Sequence, residues 1–282
     1  MTLALAATGF SSTSTNPPRV ELDVTSSTAS PSPLTGSETL TVWRIDPDGK
    51  QRQVIIPSGS RLSGGIATLF DYHAPFNKQV SYVVTAGSAN TNGTPTPAPA
   101  IIGQSTVWLI HPTNPKLSVE VFPASTTAVN PAYLDSIGSR VRPNKVGQFD
   151  IPGRKTPITI NDGQRRSVQS SITIRTQGDV TGAALDALLD DGGPILLSTP
   201  GTEGWDVKWE WIQPLDLTFT NKTNGWVAYP FRDYALPYVV VDQPVANSGS
   251  LWTWGDIAGY PTWGAVAAAY STWGKMAVDQ RL

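Results

Sequence analysis

Residues 205–212 read Trp205-Asp206-Val207-Lys208-Trp209-Glu210-Trp211-Ile212, with apolar and charged side chains in alternation. Side chains on a β-strand point to opposite faces in turn. This spacing therefore predicts a strand with Trp205, Val207, Trp209 and Trp211 on one face and Asp206, Lys208 and Glu210 on the other. One side is covered and the other is wet.

Working outward, the same period recurs on either side. Upstream, Thr106 to Ile110, Leu117 to Phe122, Ile158 to Ile160, Ser171 to Arg175 and Ile195 to Leu197 are strand candidates, and Leu215 to Thr220 follows downstream. One segment breaks to a helical period: Leu185, Leu188 and Leu189 form an i, i+3, i+4 stripe. This predicts a helix over 182–190 with Thr181 as its cap and Gly192-Gly193 as its stop. Tyr229 to Pro244 is an aromatic, proline-bearing stretch that leads into the C-terminal tail.

In the first third, Val20, Leu22 and Val24 alternate with polar neighbours, as do Leu40 and Val42. The second pair runs into Asp46-Pro47-Asp48-Gly49, which suits a tight turn. Its Asp-x-Asp-Gly also resembles the opening of a calcium loop, but no carboxylate follows at the spacing such a loop needs. Ile66 to Phe70 and Val80 to Val84 add two strands, joined by Asp71-Tyr72-His73-Ala74-Pro75-Phe76, whose aromatics can cover an edge. The sum predicts an Ig-like β-sandwich over 20–86. A Ser/Thr/Pro-rich arm precedes it (1–19), and 87–100, rich in Gly, Ser, Asn, Thr and Pro, reads as a linker.

Composition narrows the function. Of 282 residues only 15% are charged, while there are 10 Trp and Arg outnumbers Lys by 12 to 8. Charge depletion with Trp and Arg enrichment marks surfaces buried between chains; an extracellular β protein coated in Ser, Thr and Asn is the competing reading. Cysteine is absent, which excludes disulfides and thiolate chemistry. The net charge of −2 gives no general reason to bind nucleic acid or membrane. The start Met1-Thr2-Leu3-Ala4-Leu5-Ala6-Ala7 lacks a basic flank, and no run of about 18 apolar residues occurs, so a soluble protein made without a signal peptide is expected.

The tail repeats one phrase: Thr253-Trp254-Gly255, Thr262-Trp263-Gly264 and Thr272-Trp273-Gly274, each followed by a variable residue, an apolar one and Ala. Each copy reads as a short helical turn with Thr as cap. The segment cannot bury its indoles alone. Trp252, Trp254, Trp263 and Trp273 are therefore expected to dock onto neighbouring subunits.

Catalytic and metal chemistry find little support. His73 and His111 lack partners at metal spacing, and no HExxH, Gly-x-Ser-x-Gly, Walker or dinucleotide motif occurs, so neither a metal nor a cofactor is expected. Asp186, Asp190 and Asp191 read as a solvated helix face. Asp206 and Glu210 are the one carboxylate pair suited to glycoside cleavage. Trp205, Trp209 and Trp211 on one strand face would suit a glycan-stacking platform. The charge map is more telling: Arg140, Arg142, Lys145, Arg154, Lys155, Arg165, Arg166 and Arg175 face only Asp150 and Asp162, whereas 179–216 holds eight acids and Lys208. Patches of opposite sign, with Arg165 and Arg166 on one and Asp190 and Asp191 on the other, can join copies head to tail or pair within one chain.

Three ordered motifs carry a resemblance. These are Leu69-Phe70-Asp71-Tyr72-His73-Ala74-Pro75-Phe76, the run from Leu185 to Leu197 through Asp190-Asp191-Gly192-Gly193-Pro194, and Phe231-Arg232-Asp233-Tyr234-Ala235-Leu236-Pro237-Tyr238-Val239-Val240-Val241-Asp242-Gln243-Pro244 before the Thr-Trp-Gly repeats. Together they resemble minor tail proteins of siphophages infecting actinobacteria, with His73 where a Glu is usual. The resemblance implies a structural role like that of a distal tail protein: a homo-oligomeric ring, a trimer or hexamer, joining tail tube to hub and receptor-binding fibres. It implies no catalytic residue. The Ig-like unit would come first here, unlike in familiar distal tail proteins.

The expectation is thus a mainly β chain: arm 1–19, Ig-like β-sandwich 20–86, linker 87–100, a larger central β domain 101–245 with one short α-helix, and a short helical Trp-rich tail 246–282. It is expected at the virion tail tip, without enzymatic activity, specific nucleic acid or membrane insertion. A carbohydrate-binding module contacting host-wall glycans is the alternative, and a glycan-cleaving tail enzyme a third.

Overall fold

The computed structural model describes residues 3–13, 16–26, 39–56, 60–62, 65–86, 98–123, 131–144, 146–149, 152, 155–156, 158–161, 166–201, 207, 209–224 and 227–244, with side chains left aside at 146–148, 158–161, 221–224 and 227–230. Among them the fold is mainly β, with several antiparallel sheets and one α-helix. The strands are β1 (Leu3–Phe10), β2 (Arg19–Ser26), β3 (Leu40–Ile45), β4 (Gln51–Gln53), β5 (Ile66–Asp71), β6 (Val80–Ala86), β7 (Ala98–Ala100), β8 (Val107–Ile110), β9 (Val119–Val121), β10 (Ala132–Ile137), β11 (Val146–Phe149), β12 (Ile158–Asn161) and β13 (Gln169–Gln177). Helix α1 (Asp179–Asp190) follows, then β14 (Ile195–Ser198), β15 (Trp209–Pro214), β16 (Thr218–Asn224) and β17 (Val227–Val241). No helix among the described residues is long and apolar enough to cross a membrane.

The chain forms two compact units. The first holds Met1–Glu120 and Leu196–Trp209; the second holds Val121–Ile195 and Glu210–Gln243. In the first, β1-β2-β5 make one antiparallel sheet and β4-β3-β6-β7 another, while β14 pairs antiparallel with β8. The alternation read from the sequence is the burial pattern here: Val20, Leu22, Val24, Val42 and Tyr82 are fully enclosed, and Leu40, Val80 and Val84 nearly so. The Asp46–Gly49 turn closes with Gly49 N–H donating to the Asp46 carbonyl at 2.9 Å, Gly49 sitting at φ 76°. Two assignments shift. Residues 3–10, expected within a loose arm, are a strand paired along its length with β2, and 98–100, expected in the linker, pair with β6. The small apolar side chains of β1 suffice because ladder hydrogen bonds hold it, and Gly9 lies so close to the chain after β7 that a Cβ would sit 1.8 Å from the Ile101 carbonyl oxygen.

The second unit is built on the sheet β10-β13-β17, with both β15 and β16 along the other edge of β17. Ile172, Ile174, Tyr234, Leu236 and Tyr238 are buried on the face that meets α1, whose Gly182, Leu185 and Leu188 turn inward. Helix and sheet approach closely at Gly182, whose Cβ position lies 3.4 Å from the Tyr234 hydroxyl. The helix begins at Asp179 after Gly178, not at a Thr181 cap; Gly178 adopts φ 88°, which lets the chain turn directly out of β13. Gly192, at φ 63°, follows its end as the sequence indicates.

The segment 229–244, read only as an aromatic stretch, lies mostly in the fifteen-residue strand β17. Its prolines argue against a paired strand. Pro237 is accommodated where the neighbouring ladder is interrupted: Pro214 pairs with Tyr238 and Thr218 with Ala235, so three residues on one side face two on the other. That bulge leaves the position opposite the missing N–H without a ladder bond, while the Pro237 carbonyl still accepts from Leu215 N–H at 2.8 Å. Strand β15 is also not one-sided as expected, because Trp211 and Ile212 are both buried.

Gly9→Ala is expected to destabilise the chain by roughly 3 kcal/mol or more, since the obstacle is backbone and cannot rotate away. Gly49→Ala, strained but with open space around it, should cost nearer ~1 kcal/mol. Denaturant unfolding of both variants against the natural chain measures the difference.

Candidate functional site

The most concentrated polar chemistry lies inside the first unit. Arg44, on β3 in the same inward row as Leu40 and Val42, is only 2% exposed. Its Nε donates to Asp46 Oδ1 at 2.6 Å and its Nη1 to Asp71 Oδ2 at 2.8 Å. Asp71, fully buried, also accepts from the Tyr82 hydroxyl at 2.9 Å and from the His73 backbone N–H at 2.8 Å. Arg52 pairs with Asp46 from the surface side.

Burial alone would lower the Arg44 pKa, but Asp71, Tyr82 and Asp46 outweigh it and hold the guanidinium above its ordinary value. Burial pushes the Asp71 carboxyl up, and the Arg44 charge, helped by His73, more than reverses this, keeping it below the usual carboxylate range. His73 is 3% exposed, and burial drives its pKa down to about 4, so at neutral pH its approach to Asp71 is not an ion pair. The cluster is thus one guanidinium between two carboxylates, with Arg52 on Asp46 and neutral donors on Asp71. It has the chemistry of a structural hub: the carboxylates are committed to guanidinium and hydroxyl groups, and the histidine is neutral.

Trp209 closes this hub. The Arg44 and Arg52 guanidinium carbons lie 5.3 and 5.0 Å from its ring centroid, and its Nε1 donates to the His73 carbonyl at 2.9 Å. Trp211 is 3% exposed. Of the expected glycan platform, Trp211 is covered, and part-buried Trp209 has two guanidinium groups within 5.3 Å of its ring centroid. Trp205 lies outside the described residues. Of the expected carboxylate pair, Glu210 alone is described. Glu210 is held by both Nη atoms of Arg140, at 3.0 and 2.6 Å, so it is engaged as a charged acceptor, and Asp206 lies outside the described residues.

The residues expected at interfaces divide. Arg166, Asp190 and Asp191 are exposed; Arg165, Trp252, Trp254, Trp263 and Trp273 lie outside the described residues. Sequence reading missed one exposed apolar feature among the described residues. Leu215, Leu217 and Phe219, at the bulge and the start of β16, are 50, 39 and 57% exposed. Helix α1 covers β13 and β17, and Phe219, one strand further out, stacks beside Tyr234 at 6.2 Å with its outer side open. The alternation Leu215-Asp216-Leu217-Thr218-Phe219 was the available signal, but a period of two does not say whether the apolar face is covered. No protein-family model matches the chain, and no curated protein matches it.

Two outcomes are expected here. Asp71→Asn leaves Arg44 buried with Asp46 as its remaining carboxylate and should cost roughly 3 kcal/mol, seen as a lower unfolding midpoint. Because His73 titrates near 4 in the folded chain and near 6.5 when unfolded, the unfolded state binds more protons in between. Stability is then complete above pH 6.5 and falls by about 3 kcal/mol as pH drops to 4. His73→Gln should flatten that part of the stability profile, while the loss from Asp71 protonation sets in only below about 3.8.

Proposed function

We propose that this chain is a structural subunit of a siphophage tail tip, assembling with further copies of itself into a ring between tail tube and hub. The observation that supports this most is the open edge of β16. Three large apolar side chains stand exposed within five residues, Leu215 and Leu217 just before β16 and Phe219 on it, and the described pairing of β16 is to β17 alone. Proteins ordinarily guard such edges with lysine, proline or a covering element, because an open apolar edge recruits another chain. In a chain with few charges overall, that edge suits burial against a neighbour. The three motifs that resemble those of actinobacterial siphophage tail proteins support the kind of assembly, and the engagement of Asp71 and Glu210 by arginines suits a role without catalysis.

Light scattering of the purified full chain over a concentration series should give a discrete oligomer mass. Leu217→Asp with Phe219→Asp should shift it to monomer while circular dichroism and melting stay unchanged, the two positions being exposed. An antibody to the chain should label particles at the tail end away from the capsid. A natural chain that remains monomeric, or label elsewhere on the particle, would sink the reading.

A further inference from the structure

We propose that the outward face of α1 is the docking surface for the β11–β12 hairpin of a second copy of this chain. This rests on the reading of the protein as a self-assembling subunit and names the surfaces that meet.

The hairpin belongs to an excursion from the sheet. Val141 and Gln169 close its base with reciprocal backbone hydrogen bonds of 2.8 Å, and Arg166 N–H donates to the Pro143 carbonyl at 2.9 Å. Inside it, β11 and β12 form a separate two-stranded sheet. Two strands alone are marginally stable in water and gain from a surface to lie on. The described side chains suit one: Val141 and Phe149 are 54 and 56% exposed, and Arg142, Lys155 and Arg166 are exposed beside them. From Val141 to Gln169 the sequence holds Arg142, Lys145, Arg154, Lys155, Arg165 and Arg166 against Asp150 and Asp162, a net charge of +4.

Helix α1 presents the converse. Val180, Ala183, Ala184 and Ala187, spaced for one helical face, are exposed and make a low apolar strip, with Val180 at 76%. Asp179 stands at one end, and Asp190 and Asp191 stand exposed at the other. Helix and cap together carry Asp179, Asp186, Asp190 and Asp191 with no basic residue, a net charge of −4. Acids in the last helical turn oppose the helix dipole, so a cation arriving there is favoured by carboxylates and carbonyls together. Arg232 lies near the helix start and middle, 3.5 Å from Asp179 and 3.6 Å from Asp186. A basic hairpin with an aromatic residue matches an acid-rimmed apolar strip in both sign and character. Since every copy carries both surfaces, each would give a hairpin and receive one, the head-to-tail contact from which rings close.

Two charge-reversed chains test this: Asp190→Arg with Asp191→Arg, and Arg142→Glu with Lys155→Glu and Arg166→Glu, all at exposed positions. Each alone is expected to need at least tenfold more protein to assemble than the natural chain, by light scattering, whereas an equimolar mixture recovers association of one variant with the other, as pairs or as rings of even number. Assembly of the natural chain should also weaken at least tenfold from low to high salt, a readout independent of the variants. Undiminished assembly of either variant overturns the contact, as does a mixture that fails to recover, which would indicate hairpin–helix pairing within one chain or a different partner. Salt-insensitive assembly overturns it too. In each of those outcomes the natural chain still assembles, so the ring reading survives; a natural chain that never assembles removes both.

Discussion

A single buried guanidinium constrains the first unit more than any other group. Arg44 could not be enclosed without Asp46 and Asp71 beside it, and Asp71 could not be enclosed without Arg44, Tyr82 and the His73 backbone. These groups come from β3, β5, β6 and the loop after β5, so satisfying one charge orders four pieces of chain. That loop, Asp71 to Phe76, is buried throughout, which is unusual for a connection and is helped by the His73 backbone, whose N–H donates to Asp71 and whose carbonyl accepts from Trp209. Trp209 then lies across the two arginines, tying the returning segment to the same centre.

In the second unit the organising device is an irregularity. The bulge between β15 and β16 makes room for Pro237, allows β17 to run for fifteen residues, and leaves Leu215, Leu217 and Phe219 facing outward at the sheet's margin. The feature that resolves a backbone conflict inside the sheet also shapes its exposed edge.

Much of the β architecture was legible. Strands β2, β3, β6 and β13 were found because buried and less buried residues alternate along them, and α1 because three leucines share a helical stripe. Strand β1 was hidden by small residues that read as filler, and β17 by prolines whose compatibility depends on a bulge set elsewhere in the sequence. The site was less legible. The run of tryptophans announced that residues 205–212 matter but not how: an indole awaiting a sugar and an indole roofing a buried arginine have the same spacing. What separates them is Arg44, 165 residues away in the chain, and no local pattern reports a contact at that range. The exposed Leu217 and Phe219 were likewise seen as strand residues, because alternation fixes a face and not what lies against it.

The first unit is assembled from pieces that are distant in sequence, residues up to Glu120 and then Leu196–Trp209. During synthesis its centre cannot be finished when the N-terminal portion leaves the ribosome. Arg44 and Asp71 emerge early, yet the indole that roofs them arrives only after about ninety further residues beyond Glu120 have been made. Until then the nascent chain would hold an incompletely shielded ionic centre, and maturation of this unit is coupled to translation of the segment between its two pieces.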